Sequence, residues 1–362
     1  MSILQLRNHI PISGPARREP TDGSETAMRV SLGFEPAWFH RRCGVDFSKR
    51  WHTDPVYRHE TLVAMKDELC RAFPMVTYWD RRRSDDTWTL SGVYGAYVVP
   101  LVMGCRLHYA ADRWPVISER PKSTLAEWAS LDVQELASGP VMQDLARQMD
   151  VIEAKAGKIH GYLNWQGVLN NAFNVYGEHI FLDMIEQPDL AHRFFGLITD
   201  LMITLAKRVQ ERQRRSGFSI NQLDVSNCVM NMISPHMYAE FIYPYDRRIA
   251  ESFERFGVHT CNWDATPYLA QLQKLPKMGY LDMGIMSDLR KAKAMFPDTR
   301  RAVMYSPVKL QDASLDEIRA DMERIYAEYA PCDIVMADIQ ATTPDSRVHE
   351  LLDICRRLES LR

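Results

Sequence analysis

From about residue 120 onward the chain alternates short apolar runs with longer amphipathic stretches, the pattern of strands that feed into helices. Strands are predicted over 159–163, 221–225, 258–262, 280–284, 301–305 and 333–337. Between them apolar positions recur every three or four residues. Residues 140–156 place Val141, Leu145, Met149 and Ile152 on one face, and 190–214 do the same with Phe194, Ile198, Leu201, Leu205 and Val209. Helices are also predicted over 123–137, 267–274, 289–296 and 315–329, and from Ser346 onward. Ser234 and Pro235 cap and open another, expected to run through Phe256 and to be stopped by Gly257.

Upstream the rhythm is less regular. Residues 1–27 are rich in Arg, Pro, Ser, Gly and Thr and read as an N-terminal arm. A short alternating strand follows over 29–34, then an aromatic segment, then a helix over 60–73. Residues 75–120 are turn-rich. The stretch 28–120, first strand included, is read as an N-terminal elaboration of one domain covering 28–362. Strands alternating with helices predict parallel βαβ units. Seven or eight strands are available and no glycine-rich dinucleotide fingerprint follows the first. The expected fold is therefore α/β, a (β/α)8 TIM barrel.

In such a barrel, reactive side chains gather at the C-terminal ends of the strands. His259 and Cys261 lie there, one residue apart, and strand alternation turns both to one face. A neutral imidazole and a thiolate converging on one point suit zinc better than magnesium or calcium. A catalytic zinc takes three protein ligands and keeps one position open. Asp338 and Cys228 compete for the third place, each just past the end of a strand. Asp224 and Asp264 are candidates to orient His259, and Trp165 to line the pocket. Cys332 begins its strand, at the opposite end of the barrel, and is excluded. His108 and His160 read as structural histidines.

Composition removes other classes. With 46% hydrophobic and 25% charged residues the chain is an ordinary globular one, and a net charge of −3 without a basic stripe argues against nucleic acid. No run of eighteen apolar residues predicts a membrane span, and the first residues lack an apolar signal core. Seven scattered cysteines without CxxC spacing point to reduced thiols, so the cytoplasm is the expected compartment. A nucleophile elbow, a P-loop and a His-Glu-x-x-His helix are all missing from the sequence. A homodimer is the ordinary expectation for such an enzyme.

Several segments, in this order, resemble the uroporphyrinogen decarboxylase superfamily, which includes zinc-containing, cobalamin-dependent methyltransferases. They are Tyr176-Gly-Glu178, Asp183-Met-Ile-Glu-Gln-Pro-Asp189, Ile233-Ser-Pro-His-Met-Tyr238 with Pro244, Val258-His-Thr-Cys261 and Thr343-Pro344. The resemblance spans about residue 85 to the end. Decarboxylases of the superfamily carry an Arg-Gln-Ala-Gly-Arg segment that grips substrate carboxylates, which residues 29–42 lack. They also carry Asn-Leu-Gly-His-Gly near the C-terminus, where this chain reads Met336-Ala-Asp-Ile-Gln-Ala-Thr-Thr343. The resemblance is thus to the methyltransferase branch, whose zinc sits on a His-x-Cys pair and a later cysteine. His259 and Cys261 match the pair, and Asp338 stands near the later position.

That resemblance implies transfer of a methyl group between a small methylated substrate and a corrinoid. The chain has no Asp-x-His-x-x-Gly corrinoid signature, so the corrinoid is expected on a separate partner protein at the barrel mouth. A carboxylate ligand such as Asp338 would harden the zinc and favour an O- or N-methyl substrate. The alternative is a decarboxylase-like lyase acting on a carboxylated small molecule.

Overall fold

A computed structural model describes residues 27–75, 87–220 and 222–360, so the expected arm lies outside the described residues apart from Ala27. The chain enters through β1 (Met28–Phe34). A hairpin of β2 (Arg106–Ala110) and β3 (Arg113–Glu119) then forms a separate antiparallel ribbon. The remaining strands are β4 (Trp165–Gln166), β5 (Gln222–Ser226), β6 (Arg255–His259), β7 (Met278–Gly284), β8 (Arg300–Met304) and β9 (Cys332–Ile339). Seven of these pair in parallel in the order β1-β9-β8-β7-β6-β5-β4, so the last strand returns to the first. The eighth stave is reduced to one parallel bridge, Thr89 with His160, at the open side of β4. The fold is the expected TIM barrel.

Helices cover the outer face, which is why β8 is buried at every position. The longest, Pro188–Arg215, buries Phe194, Ile198, Leu201, Leu205 and Val209 and ends in Arg212, Arg214 and Arg215, favourable beside the negative helix terminus. The barrel interior is mixed. Tyr280, Ala302, Met304, Val335 and Ala337 form an apolar cluster, while Arg29 and Arg300 both reach the buried carboxylate of Asp333. One buried and one half-buried guanidinium on the same carboxylate keep that charge compensated away from water.

The N-terminal elaboration packs helices Pro36–Cys43, Lys49–Thr53 and Pro55–Ala72 around Trp38, Phe39, Phe47, Trp51 and Phe73. Arg58 is fully buried there and donates to the carbonyls of Thr89 and Trp51 and to Gln148 Oε1. No helix among the described residues is long and apolar enough to cross a membrane.

Three expectations need correction. The helix predicted from Ser234 through Phe256 is broken into Pro235–Met237, a π-helical turn over Tyr238–Ile242, and Tyr243–Ser252. Pro244 opens the last piece, where its missing N–H costs nothing, and so marks the break. Gly257 does not stop a helix. It lies inside β6, where a Cβ would fall 1.7 Å from Asp224 Oδ1, so glycine is needed for a close approach within the barrel. The strand predicted over 159–163 contributes only the bridge at His160, and its ladder forms later, at Trp165 and Gln166.

Candidate metal centre

Parallel register puts Ser226, His259 and Asp282 in one layer across β5, β6 and β7. His259 is the last residue of β6. Cys261 is not carried by strand alternation, as its sequence position had suggested. The ladder has ended, and Cys261 takes a left-handed conformation at φ 66°. That conformation costs a non-glycine residue about 1–3 kcal/mol and persists only where neighbours hold it. Here it turns the thiol back, so that Sγ sits 3.0 Å from His259 Nε2.

What holds the turn is β7. The backbone of Asn262 and Trp263 lies directly against Gly284, whose N–H donates to the Trp263 carbonyl at 3.1 Å. Cys228 arrives from the other side, opening the 3-10 turn Cys228–Met232 directly after β5. Its position is fixed through Asn227, whose N–H donates to the His259 carbonyl and whose side chain donates to Asp246 Oδ2 at 2.8 Å each. The Trp263 indole donates to the Cys228 carbonyl at 3.2 Å. The two sulfurs come within 2.8 Å.

The ligand atoms of Cys228, His259 and Cys261 all lie within 4.8 Å of one another. Two thiols and an imidazole are the donor set of a soft or borderline cation, and three protein donors leave a fourth tetrahedral position for substrate. The residues present therefore fit a zinc ion.

Asp282 completes the arrangement. Both of its carboxylate oxygens accept from His259 Nδ1, at 2.8 and 2.9 Å. Asp282 also accepts from the Thr260 N–H and from the Tyr280 hydroxyl, each at 2.9 Å. A carboxylate on one ring nitrogen sets the tautomer and aims the other at the metal. Burial alone would lower the basicity of His259, but Asp282 and Cys228 outweigh it and carry the imidazole up to about 10. The hydrogen bond from Cys261 holds Cys228 below the usual thiol range, and the same contact pushes Cys261 well above it.

The other sequence candidates fall elsewhere. Asp338 is not among the grouped ligand atoms. One extra residue in β9 opposite Leu32–Phe34 makes a bulge, and Asp338, at φ 57°, is the exposed residue of that strand. Although Asp338 is exposed along the strand, the protein crowded around its carboxyl pushes it above the usual range, with Glu35 adding repulsion while Trp114 and His259 act against it. Asp224 lies one layer below His259 and accepts from Gln222 Nε2. Asp264 caps its own loop by accepting from the Thr266 N–H. Trp165 is buried opposite Val225. Asp282, which sequence reasoning missed, left one signal: a lone carboxylate in the apolar strand Tyr280-Leu-Asp-Met-Gly284, where a buried charge demands a partner.

The thiol–imidazole group lies at the C-terminal ends of the parallel strands, where barrels of this kind carry their active sites. The chain belongs to the uroporphyrinogen decarboxylase (URO-D) family, whose model matches residues 89–358. Over 75 residues it is 37% identical to uroporphyrinogen decarboxylase of Myxococcus xanthus (strain DK1622), a stretch spanning 21% of this chain and 20% of that protein. The chain thus aligns with about a fifth of the curated relative's length. Its fold matches a methyltransferase from Methanosarcina mazei over 95% of both chains, with a TM-score of 0.66 and 16% sequence identity.

Proposed function

We propose that this protein is a zinc-dependent methyltransferase that moves a methyl group between a small methylated substrate and a corrinoid held by a separate partner protein. The observation that carries the reading is the convergence of Cys228, His259 and Cys261 at the barrel rim, with Asp282 behind the imidazole. When bound, zinc would supply Lewis acidity toward a methylated heteroatom, or hold a thiol substrate as thiolate. The chain's own residues do the rest. Asp282 keeps a proton on His259 Nδ1 and leaves Nε2 free to ligate. Asn227 and Gly284 hold the two cysteines in place from opposite sides.

The rim suits a partner. Met232, Met286 and Val308 are exposed on the connections that follow β5, β7 and β8. Large apolar side chains left exposed on these connections offer contact points for a partner. The preference for an O- or N-methyl substrate rested on Asp338 as third ligand. With Cys228 in that place its premise is gone, so the substrate is left as a methylated heteroatom compound.

A second reading, a lyase acting on a carboxylated small molecule, is favoured by the local identity to a decarboxylase. Against it, Arg29 and Arg300 are already engaged by Asp333 and offer no free guanidinium at the floor. Metal analysis separates the two. About one zinc per chain is expected, lost in His259→Ala together with methyl transfer to reduced cobalamin. Chelator-insensitive turnover of a carboxylated substrate would overturn the methyltransferase reading.

A further inference from the structure

Asp246, in the helix Tyr243–Ser252, is a fully buried carboxylate outside the group of ligand atoms. Its Oδ2 accepts from Asn227 Nδ2 at 2.8 Å and from the Tyr238 hydroxyl at 2.9 Å, while no donor among the described residues reaches Oδ1. Both donors are uncharged. Burying a carboxylate on two neutral hydrogen bonds is costly, and apolar groups of the same shape often serve a fold as well. Stability alone is a poor reason to keep it.

Asn227 is buried between the end of β5 and the turn that begins with Cys228. Its N–H is committed to the His259 carbonyl. Its amide packs against Gly167, where a Cβ would fall 1.7 Å from Asn227 Oδ1, and its Nδ2 is fixed by Asp246. The residue before the thiol is thus tied by backbone and side chain to different elements. A second tie closes on Cys228 itself. Tyr238 and Tyr268 pack edge to face with centroids 6.1 Å apart, Tyr268 and Trp263 do so at 5.5 Å, and the Trp263 indole donates to the Cys228 carbonyl. Asp246 is where the two ties join. Eight residues separate Tyr238 from Asp246, about 12 Å of rise in a regular α-helix, and the π-turn over Tyr238–Ile242 and the break at Pro244 lie between them. π-Turns of this kind recur at functional sites.

We infer that Asp246 is a positioning residue for the metal-binding thiol of Cys228, acting through the amide of Asn227. This rests on the metal-centre part of the methyltransferase reading. Without an acceptor at 246 the Asn227 side chain loses its hold, and the turn that begins with Cys228 is free to shift. The metal then keeps His259 and Cys261 and loses its third protein ligand.

The test measures zinc affinity by chelator competition and, in cobalt(II)-substituted protein, the thiolate-to-cobalt charge-transfer band, whose intensity follows the number of thiolates bound. Asp246→Leu is expected to weaken zinc binding by about tenfold or more and to remove about half of the band, one thiolate of two. Asp246→Asn still offers an oxygen to Asn227 and should restore both. Tyr238→Phe removes the other hydrogen bond to Asp246 but leaves the tie to Asn227, so it should lose stability in urea and keep native zinc affinity and a full band. Should Asp246→Leu fail to fold, Asn227→Ala cuts the same tie and is expected to show the same losses. Native affinity with a full band in the folded Asp246→Leu or Asn227→Ala protein overturns the inference. So does a loss of zinc affinity in Tyr238→Phe as large as theirs, which would tie metal binding to stability alone. The two readings fail separately. Native protein that takes up neither ion loses the metal centre, whereas metal-binding protein indifferent to Asp246→Leu loses only the positioning role.

Discussion

The carboxylate of Asp282 grips the imidazole of His259 from behind, with both oxygens within 2.9 Å of Nδ1, while Nε2 points at the Cys261 sulfur. The pairing is built into the sheet, because parallel register sets His259 of β6 directly beside Asp282 of β7. Losing such an outer carboxylate lowers metal affinity by about 10–100-fold in comparable sites. Asp282→Asn is expected to fall in that range. Competition against a chromophoric chelator measures it, and affinity equal to the native protein's would show that the pair is merely structural.

Cys228, rather than Asp338, is grouped with the His-x-Cys pair. Removing a ligand should cost more than removing a residue behind one. Cys228→Ala is therefore expected to weaken zinc binding by about 100-fold or more, beyond the range for an outer-shell change. Asp338→Ala should leave zinc stoichiometry unchanged. The reverse pattern in metal analysis would make Asp338 the ligand.

Much of this architecture was legible from periodicity. The helix over Pro140–Ala156, the one over Leu315–Tyr329 and the strands from β5 to β9 lie where the apolar pattern put them, within a few residues. The misreadings share a cause. Gly257 reads as a helix stop because a glycine after an amphipathic run usually is one, yet it serves a side chain 33 positions earlier, Asp224. Asp224 and Asp264 stand nearer the expected strand ends than Asp282, whereas the partner of His259 is chosen by register between strands. Cys261 converges on His259 through a left-handed turn that no pattern of residue types announces. Local period reports elements; which side chains meet across them is decided by long-range pairing.

His52 makes stability depend on pH. It is buried beside Arg58, and desolvation with that positive charge lowers its imidazole to about 3. A group whose folded value lies below its unfolded one makes the folded state bind fewer protons. Stability is then retained above the unfolded value near 6.5 and lost as pH falls below it. Asp246 acts in the opposite sense, since burial raises it from 3.8 to about 6 and its protonation favours the folded state across that interval. Comparing native protein with His52→Gln isolates the histidine. The variant's stability relative to the native protein should improve by about 2 kcal/mol between pH 7.5 and pH 5. Urea unfolding at the two pH values measures this, and a difference independent of pH would remove His52 as the cause.

Gly257 and Gly284 both forbid a side chain, but against different neighbours, and the difference is measurable. A Cβ at Gly257 meets first the carboxylate of Asp224, the movable end of a side chain, at 1.7 Å. At Gly284 it meets only backbone, 2.6 Å from the Asn262 carbonyl carbon and 2.8 Å from Trp263 N and O. Backbone cannot rotate away, so the segment just after Cys261 must shift as a whole. Overpacking of this kind costs about 1–3 kcal/mol, and Gly284→Ala should lie at or above the upper end, with Gly257→Ala below it. The shift also moves the left-handed turn that aims the Cys261 thiol. Gly284→Ala is therefore expected to lose zinc affinity as well as stability, whereas Gly257→Ala keeps its zinc. Chelator competition and urea unfolding on the two variants decide the matter, and equal metal affinity in both would show that β7 does not hold the turn in place.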